Sequence, residues 1–149
     1  MTVSIQQHML LALKMAREAY ADREVPVGAV ITCGSKVIAT GRNRREKEKN
    51  ALLHAEIDAI QNACRSLGGW RLWNCELYVT LEPCPMCAGA IINAHIPQVY
   101  FGAYDYKNGA CGTITNLFQM PFSFKPKCTG GIMEEECAAL LKSFFKRLR

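Results

Sequence analysis

Two short runs contain residue types that bind metal ions. His54-Ala55-Glu56 and Pro83-Cys84-Pro85-Met86-Cys87 lie on either side of a predicted strand. Proline at the first position of a helix would make Cys84 its cap and place Cys87 in its first turn, where the helix dipole favours thiolates. Two thiolates and a neutral imidazole suit Zn²⁺, and three protein ligands leave its fourth tetrahedral position open to water. Together the two runs predict a catalytic zinc site.

Glu56 is the candidate acid-base group of this site. Residues two apart point about 200° apart around a helix, so we do not expect Glu56 to bind the ion in the way His54 does. Its carboxylate is expected to accept a proton from the zinc-bound water and pass it to the substrate. Taken singly, H-x-E is also typical of an acidic first turn, and C-x-x-C of a redox pair. The proline after Cys84 argues against a redox pair, which would leave His54 and Glu56 unexplained.

Helices and strands alternate around these runs, which predicts an α/β fold. Because the strands open with a hairpin, we expect a three-layer α/β/α sandwich with a mixed central sheet. The expected elements are a helix from Ser4 to about Asp22, strands Val27–Cys33 and Lys36–Thr40 joined by Gly34-Ser35, a surface loop Gly41–Asn50, a helix from His54 to Gly68, a strand Glu76–Leu81, a helix Met86–Ala94, a strand Gln98–Gly102, a weaker strand near Lys127 and a helix Met133–Leu148.

The composition indicates one globular domain over residues 1–149. Half of the residues are hydrophobic and 21% are charged, which excludes a disordered chain. No apolar run reaches the ~18 residues of a membrane span and the first residues lack a signal pattern, so a cytoplasmic protein without membrane contact is expected. The net charge of +5 permits a polyanionic partner. In a reducing compartment the remaining cysteines are expected to be small buried apolar residues: Cys33, Cys64, Cys75, Cys111, Cys128 and Cys137.

The order H-x-E and then P-C-x-x-C is the signature of the zinc nucleoside and nucleobase deaminases. Within that superfamily the sequence resembles bacterial tRNA adenosine deaminases over nearly its whole length. The resemblance extends over the segments Glu24-Val-Pro-Val-Gly-Ala-Val30, Gly41-Arg-Asn-Arg44, His54-Ala-Glu-Ile57, Leu77 to Ala90 around the two cysteines, Phe101 to Ala110, and Cys137 to Arg147. It implies a cytidine-deaminase-like fold, usually found as a homodimer, and conversion of adenosine to inosine at the wobble position of a tRNA anticodon.

The resemblance also implies roles for individual residues. One zinc ion per chain is held by His54, Cys84 and Cys87, while Glu56 transfers protons as the zinc-bound hydroxide attacks C6 of adenine and ammonia leaves. Asn43 is similar to the asparagine that hydrogen-bonds the flipped base. The implied partner is the anticodon stem-loop, and the residues expected to meet its nucleotides or phosphates are Asp105, Lys107, Phe144, Phe145, Lys146 and Arg147, with Arg149 at the end of the tail. The tail also fits an amphipathic terminal helix whose phenylalanines enter the core, and we expect one phenylalanine to be buried and the other to lie near the substrate.

The sequence departs from the family pattern at two places. It also fits two other functions, which are given after these departures. Lys49 to Leu53 replaces an Asp-Pro-Thr-like entry to the base pocket, and His95 stands where a smaller residue is usual. The first alternative is a deaminase of a free base or nucleoside such as guanine or cytosine. The second is a zinc-stabilised RNA-binding module without activity, for which Glu56 would have no use.

Overall fold

The molecule is described by a computed structural model for the backbone of residues 2–148 and the side chains of residues 5–148. Arg149 therefore lies outside the described residues. The elements are α1 Thr2–Ala21, β1 Gly28–Cys33, β2 Lys36–Arg42, α2 Arg45–Glu48, α3 Ala55–Leu67, β3 Cys75–Leu81, α4 Pro85–Ala94, β4 Gln98–Ala103, a short 3-10 helix Leu117–Gln119, β5 Lys127–Thr129 and α5 Glu134–Arg147.

The five strands form one mixed sheet in the order β2-β1-β3-β4-β5. β1 runs antiparallel to both β2 and β3, whereas β3, β4 and β5 are parallel. The hairpin between β1 and β2 turns at Gly34, whose φ of 59° is easily adopted only without a side chain. The predicted mixed sheet is confirmed.

Helices cover both faces of the sheet because successive strand residues point to opposite sides. On one face, α3 and α4 pack on a core that contains Ile31, Leu77 and Val99. On the other face, α1 and Cys137 of α5 pack on Val30 and Tyr78. The three-layer α/β/α arrangement is thus the one predicted, and it leaves the carboxyl end of β3 facing the first turns of α3 and α4.

The loop predicted over Gly41–Asn50 is wrong in part. β2 continues to Arg42, and Arg45–Glu48 forms the short helix α2. The cause is a tertiary contact, since the buried Glu24 carboxylate accepts hydrogen bonds from the backbone N–H groups of Glu46 and Lys47. A helix of four residues is too short to show a hydrophobic repeat in the sequence, so it could not be predicted from periodicity. Its formation depends on that distant carboxylate.

The six cysteines away from the candidate zinc site are all free thiols. Cys75, Cys111 and Cys137 are buried as expected, whereas Cys33, Cys64 and Cys128 are only half-buried. Within residues 2–148 the structure has no helix that is both long enough and apolar enough to cross a membrane.

Candidate active site

The predicted metal ligands converge in the structure. His54 Nδ1 lies 3.6 Å from Cys84 Sγ and 3.6 Å from Cys87 Sγ. Ligands at about 2.1 Å (nitrogen) and 2.3 Å (sulfur) on one tetrahedral zinc ion lie about 3.6 Å apart, so the spacing fits zinc. In the described part of the chain no fourth His, Cys, Asp or Glu belongs to this group. The donor set is therefore that of a catalytic site with one position left for solvent.

Helix N-termini position the three ligands. His54 is the N-cap of α3 and Cys84 the N-cap of α4, both with extended backbone, and Pro85 begins α4. A cap residue turns its side chain away from the helix body, while the first-turn N–H groups present positive charge near it. Cys87 lies in the first turn of α4 and is fully buried. The predicted placement of Cys84 as cap and Cys87 in the first turn is confirmed.

The two thiols differ in acidity. A hydrogen bond from Cys87, helped by His54, lowers the pKa of Cys84 to about 4. The same contact and burial raise the pKa of Cys87 far above its ordinary value. The hydrogen bond to Cys84 also raises the pKa of His54. One thiolate is thus present at neutral pH, and the second thiol loses its proton when a metal ion binds.

Glu56 lies beside the ligands without belonging to their group. Its carboxyl is buried, and burial raises its pKa from 4.5 to about 7. A carboxyl that titrates near neutral pH can both accept and return a proton, as general acid-base catalysis requires. It lines the same cavity as His54 and Cys84.

This cavity, which we call the zinc-site cavity, has a volume of about 600 Å³. Val25, Val27 and Leu81 form apolar parts of its wall, and the loop from Tyr104 to Asn108 forms its polar rim. Cavities of this size hold a small organic group such as a nucleobase.

Asn43 is buried in the wall of the zinc-site cavity. Its Nδ2 donates to the carbonyl oxygen of Val25, and its Oδ1 accepts from the backbone N–H of Arg45. An amide has two N–H donors and two acceptor positions, so one of each is left for a ligand. Asn43 is therefore held in place while it can still read both a donor and an acceptor on a base edge.

Glu82 anchors the rim loop. Its buried carboxylate accepts hydrogen bonds from the backbone N–H groups of Asp105, Cys111 and Thr113 and from the Thr113 hydroxyl. A Cβ at Gly109 would lie 2.6 Å from Glu82 Oε1, so the loop requires glycine there. This role is not evident from the sequence, although Glu82 lies within the segment that carries the family resemblance.

Asp105 and Lys107 both lie in the lining of the zinc-site cavity. Asp105 Oδ1 accepts hydrogen bonds from the backbone N–H groups of Lys107 and Asn108, which shapes the turn between them. Asp105 therefore acts on the shape of the rim, and the Lys107 ammonium supplies positive charge at the cavity.

A second buried carboxylate, Asp58, supports the other wall. It accepts hydrogen bonds from the Arg42 backbone N–H and from Arg44 Nη2, the latter at 2.6 Å. Arg42 and Arg44 flank Asn43, so Asp58 fixes the backbone that carries the amide. Asp58 lies one helical turn after His54, a spacing that the sequence analysis did not use.

The side chains of the predicted RNA-contacting tail, residues 144–147, lie in different places: one is in the core and another is at the zinc-site cavity. Phe144 is buried and packs edge-on against Tyr20 with ring centroids 5.4 Å apart, whereas Phe145 is exposed and lines the zinc-site cavity. The Arg147 guanidinium lies 5.6 Å from the Tyr20 ring, and Lys146 is exposed outside the cavity lining.

Two basic residues that the sequence analysis missed do line the cavity. Lys142 lies on α5 three residues before Phe145, and Arg45 lies at the start of α2. The spacing of three residues between Lys142 and Phe145 on a helix could have indicated that the two share one face.

Comparisons with known proteins agree with this geometry. A sequence profile of the cytidine and deoxycytidylate deaminase zinc-binding region matches residues 2–103. The chain is 46% identical over 143 residues to the tRNA-specific adenosine deaminase of Bacillus subtilis, covering 95% of this chain and 89% of that protein. It is also 40% identical to part of a tRNA(Ile)-lysidine synthase of Deinococcus deserti, of which the match covers 26%.

Solved structures show the same similarity. One from a biochemical and structural study of A-to-I editing by tRNA:A34 deaminases at the wobble position superposes with a TM-score of 0.88, at 43% identity, over 90% of this chain and 98% of the other. The guanine deaminase of Bacillus subtilis has a TM-score of 0.66 at 29% identity, over 94% of this chain and 92% of the other.

The role of Glu82 predicts a local effect of Glu82→Gln. The new amide would present an NH₂ group where the carboxylate accepts hydrogen bonds, so the rim loop should open more often. Amide hydrogen exchange at Asp105, Cys111 and Thr113 should become at least about tenfold faster, since a lost buried hydrogen bond costs about 1–3 kcal/mol. Glu76→Gln is the matched control, because that carboxylate accepts a hydrogen bond from the Tyr78 hydroxyl. Unchanged protection at the three amides would contradict the anchoring role.

The raised pKa of Glu56 predicts a pH-dependent stability in zinc-free protein. Because the folded-state pKa is about 7 and the ordinary value 4.5, the folded state holds its proton more tightly, and ionisation destabilises it as pH rises through this window. Glu56→Gln should therefore gain about 2–3 kcal/mol in unfolding free energy relative to the unsubstituted protein between pH 5 and pH 8. Urea unfolding at both pH values measures the gain. The exposed Glu135→Gln should show none, and a pH-independent gain for Glu56→Gln would refute the prediction.

Proposed function

The chain belongs to the cytidine and deoxycytidylate deaminase family, and we propose that it hydrolyses adenosine to inosine in tRNA, at the wobble position of the anticodon. The observation that carries this function is the position of Glu56, a buried carboxyl with a pKa of about 7 beside a three-ligand zinc site, in a cavity of nucleobase size. The reaction replaces the amino group on C6 by oxygen and releases ammonia.

Different residues of the chain have different roles in this reaction. His54, Cys84 and Cys87 would hold zinc, which would supply the Lewis acid that makes water a nucleophile near neutral pH. Glu56 accepts a proton from the attacking water and delivers it to N1 of the base, and it then transfers the remaining hydroxyl proton to the departing amino group. Both water protons are thereby accounted for as C6=O forms and ammonia leaves. Asn43 orients the base with its remaining donor and acceptor. The apolar wall around Val25 and Leu81 excludes competing water.

A tRNA substrate is favoured over a free base by the rim of the zinc-site cavity. Arg45, Lys107 and Lys142 supply positive charge there, and the exposed ring of Phe145 offers a surface on which a neighbouring base can stack. A free base has no phosphate and no neighbouring base for these groups to contact. The two similar proteins from Bacillus subtilis and Deinococcus deserti are also both named for tRNA substrates.

The two alternative functions fit less well. Similarity to a guanine deaminase at 29% identity supports the free-base alternative, but the basic rim would have no use in such an enzyme. A zinc-stabilised binding module would be expected to fill the fourth zinc position with a protein ligand, and the described residues offer none in the group. It would also gain nothing from a buried carboxyl beside the ligands.

The partners that we propose are an anticodon stem-loop and a second copy of the chain, in the cytoplasm where tRNA is modified. A homodimer is supported by the outward surface of α4, where the apolar side chains of Met86 and Ala90 are partly exposed. The surface is open between them, because a Cβ at Gly89 would meet no other part of the molecule within 4 Å. Apolar surface of this kind is typical of contacts between proteins.

The proposed function predicts the zinc content of the Glu56→Ala variant and its activity on an anticodon stem-loop. The variant should keep about one zinc per chain, because the three ligands remain, while inosine formation on an anticodon stem-loop falls at least about a hundredfold. Metal analysis and quantification of inosine after nuclease digestion measure the two properties. Glu135→Ala removes an exposed carboxylate from the first turn of α5 and is the matched control.

Activity of the unsubstituted protein on free bases completes this test. We expect turnover of the stem-loop and none of free adenosine, guanine or cytosine. Turnover of guanine or cytosine without turnover of the stem-loop would support the free-base alternative, and full activity of Glu56→Ala would remove Glu56 from the mechanism.

A further inference from the structure

An exposed cluster of aromatic side chains lies away from the zinc site. It consists of Trp70, Trp73, His95 and Phe124 with the guanidinium of Arg71, and we call it the far-end cluster. The His95 ring is at its centre, with centroids 5.6 Å from Trp70, 5.7 Å from Trp73 and 4.7 Å from Phe124. The Arg71 guanidinium lies 4.2 Å from the centre of the Trp70 ring.

The far-end cluster is built by the ends of two elements. His95 takes a left-handed backbone with φ of 61° as the C-cap of α4, and the Leu72 backbone N–H donates to the carbonyl oxygen of Ala94 just before it. Both segments lie at the amino end of β3, whereas Cys84 follows its carboxyl end. β3 spans Cys75–Leu81, so about 20 Å of strand separates the cluster from the zinc site.

Trp70 and Trp73 remain 51% and 55% exposed in spite of these contacts. The apolar faces of two neighbouring tryptophans therefore meet solvent, which is costly unless a partner covers them. Exposed aromatic rings on which bases can stack, with arginine close by, are features that proteins use to bind single-stranded nucleic acid.

The charge at this end of the molecule is positive. Residues 59–75, 83–104 and 106–133, which form most of the cluster and its surroundings, contain no Asp or Glu. Glu76 at the start of β3 carries a negative charge at this end, which is outnumbered by the positive charges of Arg71, Lys125 and Lys127. Lys125 and Lys127 line a cavity of about 400 Å³ next to Phe124, together with the polar side chains of Asn116 and Gln119. Lys127 is fixed there because its backbone N–H donates to Pro97.

We propose that the far-end cluster and the adjoining lysine-lined cavity form a second RNA-binding surface, which contacts a part of the tRNA outside the anticodon loop. Bases stack on Trp70 and Trp73, while Lys125 and Lys127 neutralise phosphates. This inference rests on the proposed tRNA substrate, since an RNA with one base at the zinc site must extend about 20 Å further to reach the cluster.

Charge decides between RNA and a second copy of the chain as the occupant. Self-association through this surface would pack it against an identical surface that also carries Arg71, Lys125 and Lys127, and like charges at an interface oppose binding. RNA supplies both the opposite charge and the flat apolar rings that the tryptophans match.

Two double variants test the surface independently, Trp70→Ala/Trp73→Ala and Lys125→Ala/Lys127→Ala. Affinity is measured at several salt concentrations for a full-length tRNA and for the anticodon stem-loop cut from it. Each variant should bind the full-length tRNA about fivefold or more weakly, and the lysine variant should lower the salt slope by about 1–2. Affinity for the stem-loop and turnover of it should not change.

Leu10→Ala/Lys14→Ala is the matched control, since it removes one apolar and one basic side chain from the exposed surface of α1. Should the tryptophan variant fail to fold, the lysine variant decides, because Lys125 and Lys127 are exposed. Unchanged affinity for full-length tRNA, or an equal loss for the stem-loop, would overturn the proposal. So would light scattering that shows loss of a dimer with RNA affinity intact. Failure of the unsubstituted protein to deaminate the stem-loop would contradict the proposed function instead, and the full-length tRNA comparison would still decide the surface.

Discussion

One imidazole and two thiols must lie within a few ångströms of one another, and the rest of the structure depends on that constraint. The chain meets it by directing the first turns of α3 and α4 towards the same point beyond the carboxyl end of β3. Helix N-termini suit this purpose because their unpaired N–H groups favour the thiolate form that binds a metal ion. The two helices can meet there because both pack on one face of the sheet, through side chains such as Ala59 and Ile91.

Buried carboxylates then build the cavity around the ligands. Glu24 holds α2, Asp58 holds the Arg42 backbone and the Arg44 side chain on either side of Asn43, and Glu82 holds the rim loop. Each carboxylate accepts at least one hydrogen bond from a backbone N–H group, which offsets its own cost of burial. The fourth buried carboxyl, Glu56, has a raised pKa because burial outweighs the hydrogen bonds that it receives from its own backbone N–H and from Cys87. It can therefore serve in proton transfer.

The sequence predicts those parts of the site whose residues lie close together along the chain. His54, Cys84, Cys87 and Glu56 lie in runs whose helix-cap positions follow from proline and from helix periodicity, and the structure places them as expected. The anchoring roles of Glu24 and Glu82 were not predicted because their partners are 22 to 31 residues away along the chain. At the tail, composition drew attention to Lys146 and Arg147, whereas the direction of each side chain around α5 brings Lys142 to the cavity.

We propose that two thiolates and one imidazole hold zinc with one position open to solvent. X-ray absorption at the zinc edge of the metal-loaded protein measures this directly, since sulfur and light-atom ligands differ in distance. This donor set predicts two sulfur ligands at about 2.3 Å and two nitrogen or oxygen ligands at about 2.0–2.1 Å, one from His54 and one from water. A shell with three or four sulfur ligands, or one in which a second histidine replaces the water, would contradict it.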